Sequence, residues 1–277
     1  MSLFICSINS GSNGNCYYVG NGEEAVLIDV GISCREIEKR MLRAGLSMQS
    51  LKAIFISHEH SDHIRGVVVL ARKYKLPVYI TAATLKNSPI SLEPELVRSF
   101  ISNEPVSIGA LSITPFLKYH DAIDPYSFVV SGNGIHIGVF TDLGIVCDQL
   151  IHHFKQCDAV FLEANYDEEM LENGRYPFYL KKRIRGGKGH LSNRQALELV
   201  LKYRTGKLKH LLLSHLSKEN NSPELVQELF EKNSGKVKIT VASRSEESPV
   251  FEIKQGLVVP QRKLSSPGKV TAQMSLF

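Results

Sequence analysis

Short apolar runs recur along the chain, each closed by a polar or turn residue before it reaches helical length. Ala25–Ile28, Ala53–Ile56, Ile135–Phe140, Ala159–Leu162 and Leu211–Leu213 are the clearest. Runs of this length without polar alternation read as strands covered on both faces. Amphipathic stretches lie between many of them. Ser33-x-x-Glu36 and Ser192-x-x-Gln195 read as capping boxes, the first opening a helix that stops at Gly45. Ser222-Pro223-Glu224 supplies an N-cap followed by proline at the first helical position. From about Arg98 to Ser131 the pattern is strand-like, with turn signals at Gly109 and at Asp124-Pro125. The expectation is an α/β (α+β) fold: a large mixed β layer with helices outside it.

Composition narrows this to one domain. With 277 residues, 43% of them hydrophobic, the chain can bury a sizeable core. The first residues, Met1 to Cys6, carry no basic leader, and no apolar run approaches membrane-spanning length, so a cytoplasmic protein with no membrane partner is expected. Cys6, Cys16, Cys34, Cys147 and Cys157 are odd in number and form no C-x-x-C pair, which points to reduced core residues. A net charge of +5 weakly favours polyanionic partners.

The densest chemistry follows the run Ala53–Ile56. Ser57-His58-Glu59-His60-Ser61-Asp62-His63 packs three imidazoles and two carboxylates into the turn after a strand. In an extended or tightly turning segment His58 and His60 point to one side, while Asp62 and His63 open the next helix and face a second position. Imidazole and carboxylate together suit Zn²⁺. Lys52 to His58 is echoed by Lys209 to His215, each being Lys-x, three apolar residues and Ser-His, which suggests two related halves. Five apolar runs end in a candidate ligand or acid, namely Asp29, His58, Asp142, Glu163 and His215. Strand ends of an open α/β sheet converge on one cleft. His136, His152, His153 and His210 have no matching role.

Read in order, Asp29-x-Gly31, His58-x-His60-x-Asp62-His63, His120, Asp142 and His215 resemble the motifs of metallo-β-lactamase-fold hydrolases, over residues 1 to about 258. That resemblance implies a four-layer αβ/βα sandwich with two metals, Zn or Mn, between the sheets. It implies His58, His60 and His120 as ligands of one metal, Asp62, His63 and His215 of the other, Asp142 as the bridge and Asp29 as an orienting residue. Ser10–Cys16, His120-Asp121-Ala122 with Pro125 and Phe128, Glu163–Tyr166 and Gly189–Asn193 are similar to the YycJ/WalJ branch, which is associated with DNA exonuclease activity. Glu163-Ala164 and Gly189-His190 also resemble parts of ribonuclease Z, but residues 143–214 are too short for the β-CASP insertion and no long tRNA-binding arm is evident.

The implied function is a dinuclear-metal phosphodiesterase, a DNA exonuclease acting in repair. Metals about 3.5–4 Å apart can share a water, and the bridging hydroxide would be the nucleophile. Asp62 would orient it or accept its proton, and His190, polarised by Glu163, would protonate the leaving alkoxide. The other reading of His190 is a helix-start residue bonding backbone. Ser10–Asn15, through Ser12 and Asn13, reads either as an anion nest for a terminal phosphate or as a hairpin turn. Lys181, Lys182, Arg183, Arg185 and Lys188 form either a path for a polyanion or a solvated charged face. Residues 259–277 read as a disordered tail. It ends in Gln273-Met274-Ser275-Leu276-Phe277, which is similar to the motif that binds the bacterial sliding clamp, with docking onto the domain as the other reading. The competing functions are a small-molecule hydrolase of thioesterase or lactonase type, a ribonuclease, and a clamp-associated protein with a structural metal site.

Overall fold

The apolar runs form strands because each has two faces to cover. In Ala25–Ile28, Val26 and Ile28 enter one core while Ala25 and Leu27 enter another. In Ala159–Leu162, Phe161 points into the first core and Val160 and Leu162 into a third. This two-sided burial of successive residues is what two packed sheets with outer helices require. The computed structural model describes residues 2–254 and 257–260.

The chain first builds β1 (Leu3–Asn9), β2 (Cys16–Gly20), β3 (Ala25–Ile28), β4 (Leu51–Phe55), β5 (Val78–Tyr79) and β6 (Val97–Arg98). It then crosses to a second sheet with β7 (Val106–Ile108), β8 (Leu111–Leu117), β9 (Tyr126–Gly132), β10 (Ile135–Phe140), β11 (Ala159–Glu163), β12 (His210–Ser214) and β13 (Lys238–Val241). β14 (Phe251–Lys254) and β15 (Leu257–Pro260) return to the first sheet, so the orders are β15-β14-β1-β2-β3-β4-β5-β6 and β13-β12-β11-β10-β9-β8-β7. Each sheet is parallel on one side, β3 to β6 in the first and β10 to β13 in the second. The ends of β3, β4, β10, β11 and β12 in these parallel parts carry Asp29, His58, Asp142, Glu163 and His215, whereas His120 follows the antiparallel β8. Tyr17 and Phe161 meet across the sheets with ring centroids 4.9 Å apart, and Phe55 meets Phe128 at 5.7 Å.

Among the described residues the helices are α1 (Cys34–Arg43), α2 (Ser61–Ile64), α3 (Val67–Tyr74), α4 (Ala82–Asn87), α5 (Asp148–Phe154), α6 (Glu168–Asn173), α7 (Phe178–Ile184), α8 (Asn193–Tyr203) and α9 (Pro223–Asn233). α1 and α3 cover the outer face of the first sheet through Ile37, Met41, Val67 and Leu70. α5, α8 and α9 cover the second through Leu150, Phe154, Ala196, Val200, Val226 and Phe230. The four-layer sandwich expected from the sequence is present.

Ser192 and Gln195 form a complete capping box. Ser33 accepts from the Glu36 N–H at 3.3 Å, but the Glu36 carboxylate turns to Arg40 and Lys39, so only half of that box is made. α1 ends as expected, with Gly45 N–H donating to Leu42 and Leu46 N–H to Met41. All five cysteines are unpaired, and Cys6, Cys16, Cys34 and Cys157 are buried. β15 extends to Pro260, which pairs with Phe251, and so passes the boundary expected at residue 258. Gln273 to Phe277 lie outside the described residues. Among the described residues no helix is long and apolar enough to cross a membrane.

His210, assigned no role from the sequence, is fully buried on β12, with Nε2 2.9 Å from Thr240 Oγ1 and its ring edge-on to Phe251. Burial, and secondarily Lys238, hold its pKa down to about 3. The unfolded chain therefore takes up this proton first on acidification, and the group's contribution to stability is lost as pH falls below the ordinary histidine value. From pH 7 to pH 5 the loss through this one residue is about 2 kcal/mol. His210→Asn should show a correspondingly shallower decline, measured by urea unfolding at the two pH values. An identical decline in parent and variant would remove the assignment.

Candidate active site

β4 ends at Phe55, and the chain turns through buried Ser57 and His58 into α2, whose first turn carries Asp62 and His63. Asp29, just past the end of β3, organises this turn. Its Oδ1 accepts the Ser57 N–H at 2.8 Å, and its Oδ2 accepts from Ser57 Oγ at 2.8 Å and from His63 Nδ1 at 2.7 Å. Ser57 Oγ in turn lies 2.8 Å from His58 Nδ1. One carboxylate thus commits the Nδ1 atoms of two imidazoles and leaves their Nε2 atoms for the cleft. The glycine of Asp29-x-Gly31 is needed for close approach, since a Cβ there would stand 1.7 Å from the Asp62 carbonyl oxygen.

The second sheet supplies the other wall. His120 follows β8 and donates from Nδ1 to the Gly189 carbonyl at 3.0 Å. Asp142 and His215 follow β10 and β12, and Glu163 ends β11. Glu163 is fully buried and is the hub of this wall. Its Oε1 accepts from His190 Nδ1 at 2.9 Å, His215 Nδ1 at 3.0 Å and the Asp142 N–H at 3.1 Å. Its Oε2 accepts the N–H groups of Leu143 and Leu191 at 2.8 and 3.0 Å. A Cβ at Gly189 would lie 2.0 Å from the Ile184 carbonyl oxygen, which is why glycine precedes His190.

The five strand ends converge as expected. Asp142 Oδ2 is 3.3 Å from His63 Nε2, and Asp142 Oδ1 is 3.5 Å from His215 Nε2 and 3.6 Å from His120 Nε2. Asp62 Oδ2 is 3.5 Å from both His63 Nε2 and His215 Nε2, and His58 Nε2 is 3.1 Å from His60 Nδ1. Ligands of a tetrahedral zinc at about 2.0–2.2 Å stand about 3.3–3.6 Å from one another, so these spacings fit metal binding. His58, His60 and His120 form one compact donor group and Asp62, His63 and His215 another, with Asp142 facing both. Two buried atoms support the fit, because His120 Nε2 and Asp142 Oδ2 have no hydrogen-bond partner. His190 also falls in a compact group with Asp142, Glu163 and His215, but its Nδ1 is committed to Glu163.

The two groups differ electrostatically. Burial holds the His58 pKa well below the usual value and brings that of His120 to about 3, so both carry a free lone pair at neutral pH. Burial also opposes charge on His63 and His215, yet surrounding carboxylates, Asp142 foremost, hold His63 well above the usual value and His215 up to about 10. Burial opposes ionisation of Asp62 and Glu163 too, but neighbouring imidazoles, first His63 and first His190 respectively, bring both to about 2. A metal entering the Asp62, His63 and His215 group therefore displaces protons, and its binding weakens as pH falls.

Several contributors escaped sequence reasoning. Asn15 Nδ2 reaches Asp62 Oδ2 and His63 Nε2, each at 3.2 Å. Asn165 Nδ2 donates to the His215 carbonyl at 2.7 Å. Lys118 is buried, donates to the Thr141 carbonyl at 2.7 Å and places Nζ 4.0 Å from Asp142 Oδ2. Asn15 and Asn165 lay inside the segments that carry the resemblance but were given no role of their own, and Lys118 left no signal; the Ser-His echo at Ser57 is not functional symmetry, since Ser214 Oγ turns back to the Leu212 carbonyl.

Ser10–Asn15 is the turn of the β1–β2 hairpin. The N–H groups of Ser10, Gly11, Gly14 and Asn15 are spent on Ser243, the Asn15 side chain, Gly11 and Asp62, which leaves only those of Ser12 and Asn13 for an anion. In the basic segment Arg183 pairs with Asp121, Arg185 with Glu172 and Lys181 with the Glu172 carbonyl. Lys182 and Lys188 have no partner among the described residues and line an open pocket of about 350 Å³ with Asp121 and Arg183.

Residues 24–216 match the family model of the β-lactamase superfamily domain. The chain belongs to the metallo-β-lactamase superfamily of hydrolases. It is 35% identical over 230 residues to the exodeoxyribonuclease YycJ of Bacillus anthracis, which covers 82% of this chain and 87% of that protein. It is also 35% identical over 221 residues to the exodeoxyribonuclease WalJ of Streptococcus pneumoniae, covering 78% and 82% respectively. The crystal structure of YhfI from Bacillus subtilis, a metallo-β-lactamase fold protein, matches 91% of this chain and all of that one, with a TM-score of 0.71 at 16% identity. That second kind of likeness concerns the fold alone.

Proposed function

We propose that this protein is a dinuclear-metal phosphodiesterase that removes nucleotides from the ends of DNA, as part of DNA repair. The observation that carries this reading is the fork at Glu163, where one buried oxygen accepts from both His190 Nδ1 and His215 Nδ1. It aims a partly exposed imidazole at the mouth of the ligand cleft, where a leaving alkoxide needs a proton. When bound, the metals would lower the pKa of a water and take up charge on the phosphoryl oxygens. His58, His60 and His120 would hold one ion, Asp62, His63 and His215 the other, and Asp142 would touch both.

His190 presents Nε2 to the cleft because Nδ1 is tied to Glu163, and that Nε2–H protonates the departing oxygen. Asp62 Oδ2, steadied by Asn15, orients the attacking water and accepts its proton. Identity to two exodeoxyribonucleases over most of the chain supports DNA as the polymer. The test is incubation of metal-loaded protein with end-labelled single- and double-stranded DNA and RNA. Stepwise shortening of DNA is expected. Cleavage of RNA alone, or turnover confined to thioesters and lactones, would overturn the reading. Attachment to a sliding clamp through Gln273, Met274, Ser275, Leu276 and Phe277 belongs to the proposal on the strength of the sequence. A peptide of residues 268–277 should bind the clamp with a Kd of about 1–100 μM, and no binding at several hundred micromolar would remove it.

A further inference from the structure

Among the described residues, α7 is the helix that buries none of its side chains, and it lies beside the cleft. Two of them are aromatic, Phe178 and Tyr179, and they are 71% and 74% exposed. Large aromatic faces left in water beside a catalytic cleft mark a binding surface. The helix is nevertheless anchored to the site. Arg183 pairs with Asp121, whose Oδ1 lies 3.3 Å from His120 Nε2, and the His190 N–H donates to the Ile184 carbonyl at 2.8 Å.

These anchors fix which side faces the cleft. Residues four apart share a helical face, so Tyr179 lies on the Arg183 side, one turn further from the metal ligands. Phe178 points about 100° further round the helix, where the Arg185 guanidinium lies over its ring at 6.0 Å and pairs with Glu172. Lys182 and Lys188, the two cations of the segment without partners among the described residues, border the pocket next to Asp121. A strand held at the metal ligands and leaving by this route meets cations for its phosphates and the exposed Tyr179 ring, with no cation of the described residues over it, for a base.

We infer that Tyr179 is a stacking platform for an unpaired base of single-stranded DNA, with Lys182 and Lys188 holding the flanking phosphates. This rests on the proposed nuclease function and adds that the end entering the site is single-stranded. Bases within a duplex are already stacked on their neighbours and have no free face for the ring, whereas an unpaired base does. The adjoining free cations complement a phosphate backbone.

The test uses full-length, metal-loaded protein and a phosphorothioate oligonucleotide that resists cleavage, compared with an abasic strand of equal length, by fluorescence anisotropy. The parent should bind the base-bearing strand about tenfold or more tightly than the abasic one. Tyr179→Ala should lose that preference, and Tyr179→Trp should keep it. Affinity for the abasic strand should be the same in all three proteins, with cooperative thermal unfolding verifying the variants. A parent that binds the two strands equally, or a Tyr179→Ala variant that keeps the preference, overturns the platform. If the parent still shortens unmodified DNA, that outcome leaves the nuclease reading standing. A parent that neither binds nor shortens DNA removes both.

Discussion

Asp142→Asn is expected to leave a folded protein with no turnover above background and at most one metal ion per chain, against two for the parent. Asp142 sits at φ 56°, in the left-handed region. Asparagine tolerates that backbone about as well as aspartate does, so the change isolates the charge. The lost charge stands 3.3 Å from His63, 3.5 Å from His215 and 3.6 Å from His120, and it is the common neighbour of both donor groups. Losing a hydrogen-bond partner of a ligand typically weakens metal binding by about 10–100-fold, and losing a shared ligand should cost more. Elemental analysis after desalting and hydrolysis of a small phosphodiester check this. A second reading comes from metal-free protein. Asp142 is the largest of the influences that hold His215 up to about 10, so in the variant His215 should titrate lower, as NMR of the imidazole would show. Parent-like turnover would end the shared-ligand assignment.

His190→Ala should lower turnover on an ordinary phosphodiester by about 10²–10⁴-fold with metal content unchanged. Its ring stands 5.2 Å, centroid to centroid, from both His120 and His215, close enough to serve the same reacting group. A nitrophenyl ester releases a leaving group that is stable without a proton, and its hydrolysis should fall far less. Equal losses on the two substrates would make His190 a shaping residue rather than an acid. The same pair separates His190 from Glu163. Glu163→Gln should also disturb His215 and the backbone of Asp142, and so should slow both substrates together.

The grouping of these side chains in one cleft was legible because its chemistry is written locally. His58, His60, Asp62 and His63 lie within one turn, and Asp142 and His215 close strands recognisable as apolar runs, whereas His120 follows the alternating strand β8. β1 and β2 were harder to see, since Ser7, Asn9, Tyr17 and Tyr18 put polar atoms at buried positions that only the folded neighbours can satisfy. Lys118 shows the limit most clearly. A lysine six residues before the Asp124-Pro125 turn signal reads as exposed, and its burial beside Thr141 and Asp142 depends on how β8 and β10 are placed through β9. The basic segment was found by composition, but which cations are free depended on Asp121 and Glu172, distant partners that no local pattern announces.

Asp29, Asp142 and His215 share a backbone feature, φ values of 61°, 56° and 58°, in the region that suits glycine. All three are side chains that the proposed mechanism needs, held in a conformation that disfavours side chains by about 1–2 kcal/mol. Selection for robustness alone would steer these positions toward glycine, and selection for turnover would steer them back. A lineage released from the need to hydrolyse anything should lose these three residues early and keep the sandwich intact. Glycine at these strand ends in an otherwise well-kept relative would then mark a protein that has been recruited to other work.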